Sequence, residues 1–270
     1  MSAPSIPAAQ FSAASSGTDN TTQVCVLNQF TNTASIMLVH LSGDGAIEWL
    51  YAPSVAANQQ TPYLTVNFGS ARDYWLCTVW IADDANSPYW ATSNDRLTVW
   101  KECGVQTGDA NKQLVFEVSP TTFVLDLSSA CTASVSSYDP NWSHDAVNVQ
   151  VVNNLANNAT LFLYYLDNKL GANVVYGQNN MNLGDTSPVL ATGFGTVFGS
   201  VELWLIQAVD VDNNLAYVTG GTSLETVQLH DSDANGTVTL SISSTEVSFS
   251  KPSGSNSLSL TKQSVSSIQL

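Results

Sequence analysis

Several short runs of the chain alternate apolar and polar residues with a period of two. Val147, Val149 and Val151, then Leu114, Phe116 and Val118, then Val238, Leu240 and Ile242 occupy every second position. That is the pattern of a strand with one face turned to a core. Val, Thr, Tyr and Trp dominate these runs, and such side chains suit a pleated, half-buried surface. Residues 35–41 and 74–82 are apolar at nearly every position. This predicts strands covered on both faces, by two layers, a neighbouring repeat or a partner subunit. No segment keeps an apolar period of about 3.6 residues with capping signals. Turns rich in Asn, Asp, Gly and Ser separate the runs, so each half reads as a set of short strands.

The two halves resemble each other. Residues 24–41 (VCVLNQFTNTASIMLVHL) align without a gap on 149–166 (VQVVNNLANNATLFLYYL), placing Asn28 on Asn153, Phe30 on Leu155 and Leu38 on Leu163. Residues 74–86 align on 201–213, Trp90 falls on Tyr217, and Asp109-Ala110-Asn111 falls on Asp233-Ala234-Asn235. The blocks keep their order at offsets of 125, 127 and 124, the signature of an internal repeat. The expected fold is all-β: two tandem β-sandwich, jelly-roll-like domains related by internal duplication, each of about 120 residues. Residues 1–22 read as a flexible N-terminal arm, 23–131 as the first sandwich and 132–146 as a linker. Residues 147–252 read as the second sandwich and 253–270 as a C-terminal tail or last strand. Tyr138, Trp142 and His144 within the linker argue that it packs into the seam between the domains.

Charge narrows the partners. The chain of 270 residues has 7 basic side chains against 22 acidic ones and a formal net charge of −15. With five Lys and two Arg it has no basic stripe to displace phosphate counterions, so nucleic acid is excluded as a partner. Attraction to anionic lipid is excluded on the same ground. No run of about 18 apolar residues marks a transmembrane segment. Residues 1–22 lack the basic start and apolar stretch of a signal peptide. The expected location is therefore the cytoplasm, or the exterior by a non-classical route. Cys25, Cys77, Cys103 and Cys131 are widely spaced and form no CxxC motif. That spacing argues against zinc and leaves buried thiols and disulfides both open. Asn-X-Ser/Thr sequons at Asn20, Asn141, Asn158 and Asn235 weigh little in a chain so rich in Asn, Ser and Thr.

Little points to catalysis. His40 sits in an apolar run and reads as a half-buried structural residue, and its counterpart in the second half is Tyr165. Ser143-His144-Asp145 is not a triad, because adjacent residues point apart. His230 precedes an acidic turn and reads as a turn residue. No nucleophile elbow, HExxH, Walker loop or dinucleotide fingerprint occurs. The turn Asp231-Ser232-Asp233-Ala234-Asn235-Gly236 has the opening of a calcium loop, with Ile242 where an EF-hand has Glu. Asp210, Asp212 and Asn214 form a second set of alternate oxygens. Asp231, Asp233, Asn235, Asp210, Asp212 and Asn214 are thus candidate Ca²⁺ ligands, and equally ordinary turn residues. The matching places in the first half carry Asp83, Asp84 and Asn86, then Thr107, Asp109 and Asn111.

Aromatic residues supply the other candidate surface. Trp75, Trp80 and Trp204 lie in strands and read as core. Trp49, Tyr89, Trp90, Trp142 and Tyr217 lie near Pro, Asn and Ser. An aromatic face can stack on the C–H surface of a sugar while amides and carboxylates take its hydroxyls. The function expected is a non-catalytic recognition protein that binds a glycan or glycoconjugate through such loops. Two linked sites would gain avidity, and assembly as a homo-oligomer is expected. The alternatives are a self-assembling structural subunit, a membrane-acting β-sandwich toxin, or an enzyme using acid pairs such as Asp83/Asp84 or Asp210/Asp212.

Overall fold

The computed structural model describes residues 8–13, 20–42, 46–69, 72–81, 89–93, 100–138, 145–167, 173–195, 202–210, 212–219 and 226–269. They form an all-β protein of two compact units, Met1–Pro140 with Val265–Leu270, and Asn141–Ser264. No helix among the described residues is long and apolar enough to cross a membrane.

The first unit contains β1 (Ala9–Ala13), β2 (Asn20–Asn28), β3 (Ala34–Ser42), β4 (Ile47–Val55), β5 (Leu64–Phe68) and β6 (Asp73–Ile81). It continues with β7 (Tyr89–Ser93), β8 (Lys101–Glu102), β9 (Gln113–Val118), β10 (Thr122–Leu125) and β11 (Cys131–Tyr138). Pairing runs in the order β5-β2-β9-β10-β11-β7-β6-β3-β4-β1, and only β2 and β9 are parallel. The ladder curls into a sandwich. Val24 and Val26 of β2 and Phe116 of β9 share one core with Ile36 and Leu38 of β3 and Trp75 and Val79 of β6. Strict alternation marks β9, whose even-numbered residues Leu114, Phe116 and Val118 are buried. β3 is buried along its whole length, as its unbroken apolar run predicts.

The second unit contains β12 (Ala146–Asn153), β13 (Ala159–Asp167), β14 (Asn173–Met181), β15 (Leu190–Gly193) and β16 (Glu202–Asp210). It ends with β17 (Leu215–Thr219), β18 (Thr237–Ile242), β19 (Glu246–Lys251) and β20 (Gly254–Gln269). Its order is β15-β12-β18-β19-β20-β17-β16-β13-β14, with β12 and β18 the parallel pair. This repeats the order β5 to β4 of the first unit, and β1 has no counterpart among the described strands. Contacts recur as well. The Asn28 amide donates to Val55 O and Asn32 O, and the Asn153 amide to Met181 O and Asn157 O. The Trp75 indole donates to Cys103 O and the Trp204 indole to Val227 O, each at 3.1 Å. The structural counterpart of Trp75 is therefore Trp204, two residues beyond the position given by the sequence alignment.

Three segments differ from the boundaries expected from sequence. β1 lies inside the expected arm, where Ala9, Phe11 and Ala13 are buried. β11 occupies residues 132–138 of the expected linker, pairing with β10 on one side and β7 on the other. The tail is strand β20, whose residues 254–264 belong to the second unit and whose residues 265–269 pair with β1 in the first. Ser and Thr fill β11 and β20, which masked the inward period there. Cys103 and Cys131 are disulfide-bonded with Cα atoms 6.2 Å apart, while Cys25 and Cys77 are buried free thiols.

Candidate functional site

The strongest polar constellation of the first unit is fully buried. Glu48 of β4 lies directly across from His40 of β3, and Asp73 begins β6 on the other side of β3. His40 Nδ1 donates to Glu48 Oε2 at 2.8 Å and Nε2 to Asp73 Oδ1 at 3.0 Å. Asn67 of β5 donates its amide to Glu48 Oε1 and to Ala13 O, both at 2.8 Å. The Val105 N–H donates to Asp73 Oδ2 at 2.8 Å. Burial opposes the imidazolium, but the hydrogen bonds and charges of Asp73 and Glu48 outweigh it and push the pKa of His40 to about 9. His40 is thus a buried cation between two carboxylates, and the half-buried role expected from its apolar run is replaced by complete burial. Sequence could not pair it with Glu48 and Asp73, because strand register alone brings those residues to it.

At the matching place in the second unit the charges change. Tyr165 takes the position of His40 and donates its hydroxyl to Gly193 O at 3.2 Å. Asp167 and Glu202 face each other across β13 and β16, both fully buried. The Gly195 N–H donates to Asp167 at 2.9 Å. Neither carboxyl oxygen of Glu202 has a well-formed hydrogen bond. Burial and the charge of Asp167 push the Glu202 pKa to about 8, against a weaker pull from the Glu202 and Leu229 N–H groups and Lys251.

The acidic turns are closed by the protein itself. Asp233 accepts the His230 N–H at 2.9 Å, the Ser253 N–H at 2.6 Å and the Ser253 hydroxyl at 2.8 Å, with Lys251 Nζ at 3.7 Å. Burial raises its pKa, but these donors outweigh that and hold it below the ordinary carboxylate range. Asp109 repeats the arrangement with the Gln106 N–H and with the Ser128 N–H and hydroxyl. Asn111 and Asn235 follow at φ 59° and 58°, a left-handed conformation that Asn tolerates. Asp210 takes amide protons from Asn157 at 2.7 Å and Asn213 at 2.8 Å. Asp212, Asn214, Asp231 and Asn235 are exposed. Among the described residues no group of three or more His, Cys, Asp or Glu is placed to hold a metal ion. The carboxylates expected to bind Ca²⁺ at Asp233 and Asp210 already have their donors, so a cation there would have to displace them. Asp83, Asp84, Asn86 and His144 lie outside the described residues.

Four of the five candidate aromatic residues are strand residues. Trp49 of β4 lies between β3 and β1 and is fully buried. Trp90 of β7 is half-buried, edge-on to Phe30 at 4.9 Å against the first core. Tyr217 of β17 packs into the second core. Tyr89 begins β7 opposite Tyr138, and Trp142 lies outside the described residues. The structure takes Trp49 and Tyr217 into packing within their own units.

It brings together residues that the sequence reading passed over. An open cleft of about 570 Å³ in the first unit is lined by Thr21, Thr22, Gln23, Thr65, Asn111, Lys112 and Gln113. Thr65, Gln23 and Gln113 stand in one row across β5, β2 and β9. The Gln113 amide donates to Gln23 Oε1 at 2.9 Å, fixing both side chains. The Thr22 hydroxyl and the Gln23 N–H both donate to Lys112 O, at 3.0 and 2.9 Å, and the Asn111 N–H donates to Thr21 O at 2.8 Å. Among the described residues the polar groups of the lining are hydroxyl, amide and ammonium, with no carboxylate. The available signal was weak: polar residues at outward positions of β2 and β9, strands about 90 residues apart that only parallel pairing makes neighbours.

No family model and no curated protein matches the chain. Among solved structures it is similar to a candidate cell adhesion protein from Bacteroides uniformis, at 8% identity over 95% of this chain and 99% of that one, with a TM-score of 0.22. A candidate adhesin from Bacteroides ovatus matches at 7% identity over 89% of this chain and 95% of that one, with a TM-score of 0.21. The tip fimbrial protein Mfa3 from Porphyromonas gingivalis, with a C-terminal truncation, matches at 8% identity over 90% and 99% of the two chains, with a TM-score of 0.20. TM-scores this low do not establish a shared fold.

Proposed function

We propose that this is a non-catalytic recognition protein whose first unit binds a glycan in the cleft between β5, β2 and β9. One observation carries the reading: a cleft of about 570 Å³ lined by seven polar residues, six of them neutral hydroxyls or amides. Such groups both donate and accept hydrogen bonds, which is what a polyhydroxylated ligand requires. The strand row holds them at fixed spacing, so little ordering is needed on binding. The titratable groups support a non-catalytic role, because His40, Glu48, Asp73, Asp167 and Glu202 are sealed from solvent and a substrate cannot reach them. The Cys103–Cys131 disulfide supports export, since disulfides rarely persist in a reducing cytosol.

A glycan array read with and without a chelator tests this. The expected result is binding to a defined subset of glycans that survives chelation and falls about tenfold in the Gln23→Ala, Gln113→Ala double variant, a loss of roughly 1.4 kcal/mol from two neutral hydrogen-bonding groups. Absence of binding to every glycan under both conditions would overturn the reading.

A further inference from the structure

Resting on that reading of the cleft, we infer that the glycan is an acidic one, its anionic group held by Lys112, and that only the first unit binds it. Lys112 is exposed and lines the cleft. Among the described residues its ammonium has no carboxylate within 4.0 Å. Its backbone carbonyl is held by two donors, Thr22 and Gln23, so the side chain leaves from a fixed point at the head of β9. With 22 acidic residues against 7 basic ones, the field of the chain repels anions over most of its surface. A cleft that gathers neutral donors around one ammonium, with no carboxylate among its described lining residues, runs against that composition. An anionic sugar gains there a charge-assisted hydrogen bond that a neutral one cannot make.

The second unit keeps the backbone of this place and changes its side chains. The Asn235 N–H donates to Ala146 O at 2.7 Å and the Asn148 N–H to Gly236 O at 3.0 Å, matching the bonds of Asn111 and Gln23. Thr21, Thr65 and Lys112 are replaced by Ala146, Ala191 and Gly236. A Cβ on Gly236 would stand 2.6 Å from Pro252 Cγ and 3.0 Å from Asp233 O. Position 236 therefore cannot carry a cation, and of the strand row only the Asn148 amide and the Thr237 hydroxyl remain.

The test uses the full chain on an array carrying uronate-, sialate- and sulfate-bearing glycans beside neutral ones. The best-bound acidic glycan is then titrated calorimetrically, beside its neutralised methyl ester or desulfated form. The expected result is an acidic bound set, one ligand per chain, and affinity about three- to tenfold weaker for the neutralised form. Lys112→Gln should remove the difference in affinity between the acid and its neutral form, and Lys112→Arg should retain it. A neutral bound set, or equal affinity for the two forms, overturns the inference and leaves glycan recognition standing. Two ligands per chain overturns the assignment to one unit. No binding to any glycan overturns the reading of the cleft itself.

Discussion

His40 is a cation buried between the carboxyl groups of Glu48 and Asp73, and its proton ties stability to pH. Its folded pKa of about 9 lies above the ordinary 6.5. The stabilisation is therefore complete below pH 6.5 and is lost as pH rises through 9. Glu202 acts in the same direction for a different reason. The folded protein keeps its proton up to about pH 8, whereas the unfolded chain gives it up near 4.5, so raising pH across that window favours unfolding. Each group costs about 1.4 kcal/mol per pH unit within its window. The two windows overlap between pH 6.5 and 8, where urea unfolding should show the steepest loss. Glu202→Gln should flatten the profile between 4.5 and 6.5 and stabilise the protein at pH 8. His40→Gln strands two buried carboxylates and should cost about 3–5 kcal/mol at pH 6. A flat stability profile from pH 5 to 9 would refute this account of both clusters.

Among the elements, the turns were the most legible and the most misleading. The repeated Asp-Ala-Asn triplets at 109–111 and 233–235 do mark equivalent turns, and alternation correctly placed β9, β12 and β18. The oxygen-rich spelling suggested a cation, yet the same oxygens accept backbone N–H groups from segments far along the chain. Ser253, which satisfies Asp233, is 20 residues away, and no local pattern announces it. The cleft was hidden for a related reason: its row crosses three strands and exists only once β2 and β9 pair in parallel. The tight closure of Asp233 has a measurable consequence. Asp233→Ala removes a buried acceptor of three hydrogen bonds and should destabilise the protein by about 2–3 kcal/mol. Adding Ca²⁺ or a chelator to the unaltered protein should leave its Tm unchanged, and a rise of several degrees with Ca²⁺ would show that a cation displaces those donors.

On the scale of the whole chain, the two units are not two consecutive stretches. The first is completed by residues from the far end: Gln10, Phe11 and Ser12 pair with Gln269, Ile268 and Ser267, while β4 holds the other side of β1. The second unit needs β20 only as far as Ser264, where it pairs with Leu215 of β17. Stopping the chain after Ser264 thus removes nothing from the ladder of the second unit and bares a strand edge in the first. An unpaired edge leaves a row of backbone N–H and C=O groups open to water or to another chain. Hydrogen exchange resolved by peptide should then show lost protection in β1 and weakened protection in the adjoining β4, while β12, β13, β16 and β18 exchange as in the full chain. Concentration-dependent association should accompany the bared edge. Equal protection of β1 and β4 in the shortened and full chains would mean that the last strand adds nothing to the first unit.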